Sequence, residues 1–276
     1  MSTTSTTLGF IGAGNMGFAL LNGFSIATSS PKSEKDVKIS VYDADPDKRE
    51  SLMTGGFNVA ANELEIARNC KYIVLACKPQ QLTELLLKIK SVVTSETVLI
   101  SLCAGISAEY IRGVTGSNSK VVLVMPNMPV TLGTGATALA CDGAVTAEEF
   151  AFVRGIAESC GIAEVIPVDK MNEIICINAS SPAFIYLFSQ GFAEYAAGQG
   201  IDQKAALNLF AQTLIGAGKM LMQSGATPDE LIQQVASKGG TTQAGLDALT
   251  SGGLREIIRK VCEACTKRAY ELGKSS

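Results

Sequence analysis

An α/β fold is what the sequence predicts, a mostly parallel, doubly wound sheet at the N-terminus followed by an all-helical domain, and three features carry that expectation. Short β-branched runs alternate with helical patterns up to about residue 168, a glycine-rich turn follows the first of those runs, and the β-like runs stop after Asp169. The domains expected are residues 1–168 and 169–276.

The strand candidates, in order, are Leu8–Ile11, Val37–Tyr42, Tyr72–Ala76, Val98–Leu102 and Val121–Met125, the last closed by Pro126. Ala136–Ala140 and Glu164–Ile166 read as a continuation of the sheet. Helices are expected over 15–24, 46–54, 79–91 and 146–160. In the second half, Pro182, Pro228 and a scatter of glycines punctuate long helical stretches, of which Ile201–Met222 and Leu254–Leu272 are the clearest. Asp202, Asp229 and Thr241 stand where N-caps are expected. The stretch AALNLFAQTLIGAGKMLM is apolar nearly all round, so it must be covered on several sides. A domain this small cannot cover it alone, which points to another subunit.

Composition narrows the class. The chain has 276 residues, 47% of them hydrophobic and 18% charged, which suits a globular protein. A formal net charge of -3 gives no basic footprint for a phosphate backbone, so nucleic acid is not an expected partner. Eight cysteines lie mostly inside apolar runs and read as reduced thiols. Cys262 and Cys265 have CxxC spacing, but with no second pair and no histidine in the chain no metal site is expected. The opening MSTTSTT lacks the basic and apolar regions of a signal sequence and reads as a frayed tail. No apolar run reaches the roughly 18 residues of a membrane span, so the expected location is cytoplasmic.

Residues 9–17 read GFIGAGNMG, which places Gly12-x-Gly14-x-x-Gly17 between the first strand and the first helix. The first glycine permits a tight turn, the second lets a pyrophosphate approach the backbone, and the third allows helix and strand to pack closely. The helix then offers free N–H groups and its positive dipole end to the phosphates. This is a Rossmann-type dinucleotide site. Asp43 closes the second strand, later than the usual spacing of about 20 residues. The polar loop ATSSPKSEKD accounts for the excess. An acid there accepts from the ribose 2′-hydroxyl of NAD and repels the 2′-phosphate of NADP; a turn aspartate or a helix cap is the plainer reading.

Further stretches narrow the reading. ACKP occupies 76–79, MPNMP 125–129, NASSPAF 178–184 and SKGGTT 237–242. With GFIGAGNMG, this set resembles the pyrroline-5-carboxylate reductase family, in the right order along nearly the whole chain. The resemblance implies hydride transfer from NADPH or NADH to a cyclic imine, giving L-proline as the last step of proline biosynthesis. It implies a helical domain interlocked with its twofold mate, and a ring of five such dimers, a decamer. Cofactor contacts implied by the resemblance fall on Ile11, Gly12, Ala13, Gly14, Asn15 and Met16, on Asn62, on Ala76, Cys77, Lys78 and Pro79, and on Cys103, Ala104 and Gly105. These segments are read as loops after strands one, four and five. The implied substrate segment is Gly239, Gly240, Thr241 and Thr242. The chain departs from the family pattern at Lys238, Met128, Ala179 and Phe184, where proline, threonine and a glycine–tyrosine pair are usual. Lys238 matters most, because a cation there lies beside the expected carboxylate site.

With no histidine, the commonest general acid is absent. An imine reductase does not need one, since its substrate can bind already protonated and an iminium carbon accepts hydride readily. Orientation and a carboxylate site are then what the protein supplies. The GGTT turn suits an anion at a helix N-terminus, and the Thr242 hydroxyl is the candidate partner of the ring nitrogen. Lys78 is assigned to cofactor binding, although its stem could equally snorkel to solvent. Two other readings remain open at this point. One is a β-hydroxyacid dehydrogenase using Lys219; the other is a non-catalytic nucleotide-sensing dimer.

Overall fold

The structure, a computed structural model, describes residues 5–28, 37–116 and 118–274. In chain order it runs β1 (Thr6–Ile11), α1 (Asn15–Thr28), β2 (Val37–Tyr42), α2 (Pro46–Thr54), α3 (Glu63–Asn69), β3 (Tyr72–Leu75) and α4 (Pro79–Ile89). It continues with β4 (Val98–Ser101), α5 (Ala108–Thr115), β5 (Lys120–Met125), β6 (Gly135–Cys141), α6 (Ala147–Glu158) and β7 (Gly161–Val165). The last elements are α7 (Ser181–Gly198), α8 (Gln203–Gln223), α9 (Pro228–Val235), α10 (Thr241–Ser251) and α11 (Leu254–Lys274). Two compact units divide the chain, one of residues 1–180 with 264–276 and one of 181–263.

In the first unit the strands form one seven-stranded sheet in the order β2-β1-β3-β4-β5-β6-β7. Every neighbouring pair is parallel except β5 with β6. The central strands are apolar throughout because both their faces are covered, and alternate residues go to opposite faces. On one face Tyr72, Val74, Val98, Ile100, Val122 and Val124 pack with Leu20, Leu21 and Phe24 of α1 and Val153 and Ile156 of α6. On the other, Ile73, Leu75, Leu99, Val121 and Leu123 pack with Ile66 of α3, Leu82 and Leu86 of α4 and Ile111 of α5. Each such fully buried aliphatic side chain contributes about 1.5–3 kcal/mol.

Some expectations need correction. Among the described residues, the stretch between β2 and β3 in sequence contributes an isolated bridge, Val59 to Val41, and no strand. The loops bearing ACKP and Cys103 therefore follow the third and fourth strands, not the fourth and fifth. The short helices α3 and α5 were not expected. Each starts at a side-chain cap, Asn62 Oδ1 accepting from Glu65 N at 3.0 Å and Ser107 Oγ from Tyr110 N at 3.1 Å. β7 begins at Gly161, ahead of the expected Glu164, and β1 reaches back to Thr6, into the segment read as a frayed tail. Residues 1–4 of that tail and 29–36 of the polar loop lie outside the described residues.

In the second unit Asp202 is the N-cap of α8, accepting from Ala205 N at 2.8 Å. The other two expected caps are displaced. Thr227, not Asp229, caps α9 in a reciprocal capping box with Glu230, and Pro228 takes the first helical position, where its missing N–H costs nothing. Gly240, not Thr241, is the N-cap residue of α10, and no side chain caps that helix. Phe192 stacks on Phe210 with ring centroids 4.4 Å apart, joining α7 to α8. Among the described residues no helix is long and apolar enough to cross a membrane.

At the amino ends of the strands a carboxylate is buried. Glu149 of α6 is 3% exposed, and its Oε1 accepts from Lys120 Nζ at 2.9 Å and lies 3.2 Å from Lys71 Nζ. Its Oε2 accepts from Thr146 N at 3.0 Å, completing a capping box. Burial alone would raise the Glu149 pKa, but the hydrogen bonds from Lys120, Thr146 and Lys71 outweigh it and hold the group near about 2. The depressed value means the stabilisation is present above the unfolded carboxylate range, near 4.5, and is lost as pH falls toward about 2. Glu149→Gln should lower the unfolding free energy by about 3 kcal/mol at pH 7. Urea unfolding of both proteins should show the gap closing below pH of about 4.5. A gap of equal size at pH 7 and near pH 2.5 would show that the charge contributes nothing.

Candidate active site

The sheet order changes direction between β1 and β3, since β2 lies on one side of β1 and β3 on the other. Ligands of open α/β sheets bind at such a switch point, outside the carboxyl ends of the strands. A crevice of about 470 Å³ opens there, lined by Ile11, Gly12 and Gly14 from the glycine turn, Asp43 after β2, and Ala76, Cys77 and Lys78 after β3.

The glycine turn is built by backbone contacts. Gly12 N donates to Tyr42 O at 2.8 Å, and Ala76 N donates to Ile11 O at 2.9 Å, so the turn is tied to strands on both sides. Gly12 has a φ of +101°, and a Cβ there would lie 2.7 Å from Ala76 O. A Cβ on Gly17 would collide with Gly12 O and lie 2.8 Å from Ala76 Cβ. These two glycines are dictated by packing. Gly14 is different: a Cβ there would meet nothing within 4 Å, although the residue lines the crevice. The fold itself has no steric use for a glycine at 14.

Asp43 is 7% exposed, and its carboxylate accepts from Ala13 N at 2.6 Å through Oδ2 and from Asp45 N at 2.9 Å through Oδ1. Lys48 Nζ stands 3.7 Å from Oδ2. The acid therefore ties the end of β2 to the glycine turn while lining the crevice. Asn15 opens α1 and is exposed, and Met16 is half-buried behind it. Asn62 is exposed and caps α3; the crevice is lined instead by its neighbour Glu63. Lys78 is the N-cap residue of α4, with Pro79 as the first helical residue.

Cys103, Ala104 and Gly105 form the turn after β4. Gly105 has a φ of +80°, and a Cβ there would stand 2.7 Å from Ala269 O in the last turns of α11, so that end of the helix presses on the turn. Cys103 Sγ donates to Cys77 O at 3.4 Å. The Cys103 thiol's hydrogen bond draws the Cys77 pKa below the usual thiol range. The same bond, then burial, pushes Cys103 up.

Several lining residues were not foreseen. Gln81, Glu84, Leu85 and Lys88 line the crevice from one face of α4, and Ala44, Asp45 and Lys48 from the start of α2. The 81, 84, 85, 88 spacing of a single helical face was the signal available for the first group. Lys88 is held there between Glu84 at 3.1 Å and Glu63 at 3.3 Å.

The expected substrate segment belongs to the other unit. Gly239 has a φ of +75°, Gly240 is the N-cap residue, and Thr241 and Thr242 are the exposed first residues of α10. The first amides of that helix thus have no side-chain partner. Lys238 is exposed in the same turn. Met128 is 43% exposed after β5, Phe184 is 36% exposed in α7, and Ala179 packs on the core between them in sequence. Lys219 is exposed on α8. All eight cysteines are free thiols.

Residues 169–272 match the family described as pyrroline-5-carboxylate reductase dimerisation, and residues 7–105 match NADP oxidoreductase coenzyme F420-dependent. A pyrroline-5-carboxylate reductase of Methanosarcina acetivorans is 33% identical, covering 97% of this chain and 98% of that protein. The Escherichia coli enzyme of that name is 31% identical over 97% of this chain and 98% of its own. Among solved structures, a pyrroline-5-carboxylate reductase from Coxiella burnetii is similar at a TM-score of 0.88 and 29% identity, covering 98% of this chain and 99% of that one. The Plasmodium falciparum pyrroline carboxylate reductase, solved with NADP bound, gives a TM-score of 0.84 at 28% identity, over 97% of this chain and 98% of its own. With relatives this similar end to end, and both halves matched in order, the chain belongs to the pyrroline-5-carboxylate reductase family.

Proposed function

We propose that this protein reduces 1-pyrroline-5-carboxylate to L-proline with NADPH or NADH, residues 1–168 binding the dinucleotide and 169–276 supplying the substrate site and a subunit interface. The observation that carries the cofactor half is Gly14, a glycine facing open space on a crevice at the switch point. The reduced nicotinamide, when bound, supplies hydride to the imine carbon. The chain's own part is to hold the substrate. The uncapped N-terminus of α10 attracts the carboxylate through its free amides and dipole. The Thr242 hydroxyl oxygen accepts from the protonated ring nitrogen, so no histidine is required and the chain has none. Lys238 adds a positive charge beside the same anion.

The helical half is proposed to interlock with a second copy, and five such dimers to form a decamer. Support comes from a family match named for dimerisation and from the helices themselves. None of α8, α9 or α10 has a buried residue, and Leu187, Tyr195, Leu209 and Val235 are each 70% or more exposed. Eight free thiols suit the reducing conditions of the cytoplasm.

Gly14→Val should abolish dinucleotide binding in a protein that still folds, because the side chain would take the pyrophosphate's place. Calorimetry together with circular dichroism checks this; unchanged nucleotide affinity in the folded variant would contradict it.

Asp43→Asn removes the charge and keeps one acceptor for Ala13 N–H. The ratio of kcat/KM values should move toward NADPH by roughly tenfold, equivalent to about 1.4 kcal/mol. A fall with both cofactors and no change in the ratio would show that Asp43 only holds the turn.

The activity itself is tested by following oxidation of NADPH or NADH on addition of 1-pyrroline-5-carboxylate, with proline as the product. Thr242→Ala should lower kcat/KM by ten- to over a hundredfold, the cost of losing a charge-assisted hydrogen bond of about 1.5–3 kcal/mol. Thr242→Ser should keep most of the activity, and cofactor affinity should stay the same in both. Equal activity of the alanine and serine variants would leave only the backbone of Gly240 to Thr242 to hold the substrate.

A further inference from the structure

Two cysteines stand side by side at the crevice, Cys77 lining it and Cys103 buried behind. The parallel register pairs Leu75 with Ser101, and Leu102 N donates to Leu75 O at 3.1 Å, so the alignment of the two chains persists beyond the strands. Two residues further along each chain stand Cys77 and Cys103. Cys103 Sγ donates to Cys77 O at 3.4 Å, which sets its sulfur against the Cys77 backbone. Neighbouring strands run about 4.8 Å apart, inside the Cα separation of roughly 4.4–6.8 Å that a disulfide bridges without backbone movement.

The two thiols are not equivalent. Cys77 is half-buried and lines the open crevice, whereas Cys103 is 5% exposed behind it. The neighbouring Cys103 thiol draws the Cys77 pKa down, while the neighbouring Cys77 and then burial push that of Cys103 up. Other cysteines move the opposite way from Cys77. Burial and then the Glu65 charge push Cys70 up to about 11, and burial followed by the Asp142 charge raises Cys141. An accessible thiol whose pKa is drawn down, beside a buried second thiol, is the arrangement of an oxidant-sensing pair.

We propose that Cys77 is an oxidation site for small peroxides and Cys103 its resolving partner, the disulfide between them shutting the crevice to its ligand. In the first step the Cys77 thiolate attacks one oxygen of hydrogen peroxide, the O–O bond breaks, and hydroxide leaves, giving a sulfenic acid. In the second, Cys103 sulfur attacks the Cys77 sulfur and the S–O bond breaks. The Cys103 proton leaves with that oxygen as water. In sum, two thiols are oxidised to one disulfide and the peroxide is reduced to water. The bond draws the Cys77 side chain off the crevice wall toward β4 and shifts the Ala76–Lys78 backbone with it. The effect on nucleotide binding rests on the dinucleotide reading above; the disulfide itself does not.

The test treats the reduced, full-length protein with hydrogen peroxide, alkylates the remaining thiols and maps all eight cysteines by mass spectrometry. A peptide linking Cys77 to Cys103, lost again on adding dithiothreitol, is the expected result. Saturating NADPH should slow its formation by covering Cys77. In parallel, NADPH affinity measured by fluorescence titration should fall by about tenfold or more on oxidation and return on reduction. Cys103→Ser should replace the disulfide by a Cys77 sulfenic acid that dimedone traps, a readout that does not depend on activity. The proposal is overturned if Cys77 and Cys103 stay free while other cysteines oxidise, or if Cys77 links elsewhere. The shutting of the crevice is overturned if the disulfide forms with NADPH affinity unchanged. Should the reduced protein bind no nicotinamide dinucleotide at all, the dinucleotide reading fails and takes the gate with it, leaving the disulfide to stand or fall on the peptide map.

Discussion

The approach of the glycine turn to the end of β3 constrains the rest of the functional unit. Gly12 N reaches Tyr42 O on one side, and Ile11 O receives Ala76 N on the other, so the turn is stitched into three strands at once. The stitching leaves no room for side chains at Gly12 or Gly17. It also sets the direction in which α1 leaves the sheet. The Asp43 carboxylate completes the frame by taking the Ala13 N–H at 2.6 Å. A site framed by backbone in this way is preorganised, and little side-chain entropy is lost when a ligand enters it.

The two ends of the sheet divide the labour. At the carboxyl ends, backbone groups and Cys77 line an open crevice, with Cys103 buried behind. At the amino ends, Glu149 is enclosed by Lys71, Lys120 and its own capping box. Burying a charge is costly unless partners offset the desolvation, and here they do so well enough to hold the carboxyl near about 2. The same charge, after burial, helps push Tyr72 up to about 12. Between the two ends the strands are apolar on both faces, which keeps the polar chemistry of one end away from the other.

Legibility in the sequence followed the range of the forces involved. The strands were readable because two-sided burial leaves uninterrupted runs such as YIVL and VLIS, and the glycine turn because its geometry admits few residues. The short helices α3 and α5 were not, since seven or eight residues carry little periodicity and each depends on one capping side chain. Thr227 and Gly240 displaced the expected caps Asp229 and Thr241 because proline at 228 fixes the first helical residue of α9, and because Gly239, with a φ of +75°, turns the chain just ahead of α10. In the crevice, motif residues were legible and the α4 face of Gln81, Glu84, Leu85 and Lys88 was not singled out. That face reads as an ordinary solvated surface until the fold turns it toward β1. The pairing of Cys77 with Cys103 is a long-range consequence of strand order, invisible to local spacing.

The helical unit carries the complementary argument. Helices in water draw most of their stability from packing an apolar face, and short ones are marginal alone. In residues 181–263 the apolar side chains exceed what the unit can bury: Ala193 and Ala196 of α7 are covered, the phenylalanines at 188, 192 and 210 pack on one another, and Leu187, Leu209 and Met222 are left facing out. The hydrophobic free energy needed to hold these helices therefore has to come from surface outside the unit. That is the physical content of the proposed interlocking. It also means that the α10 N-terminus, the expected carboxylate anchor, is held in place by helices whose own order depends on association. Subunit contact would then support the substrate site without touching the substrate, and protein concentration becomes a variable of activity as much as of stability.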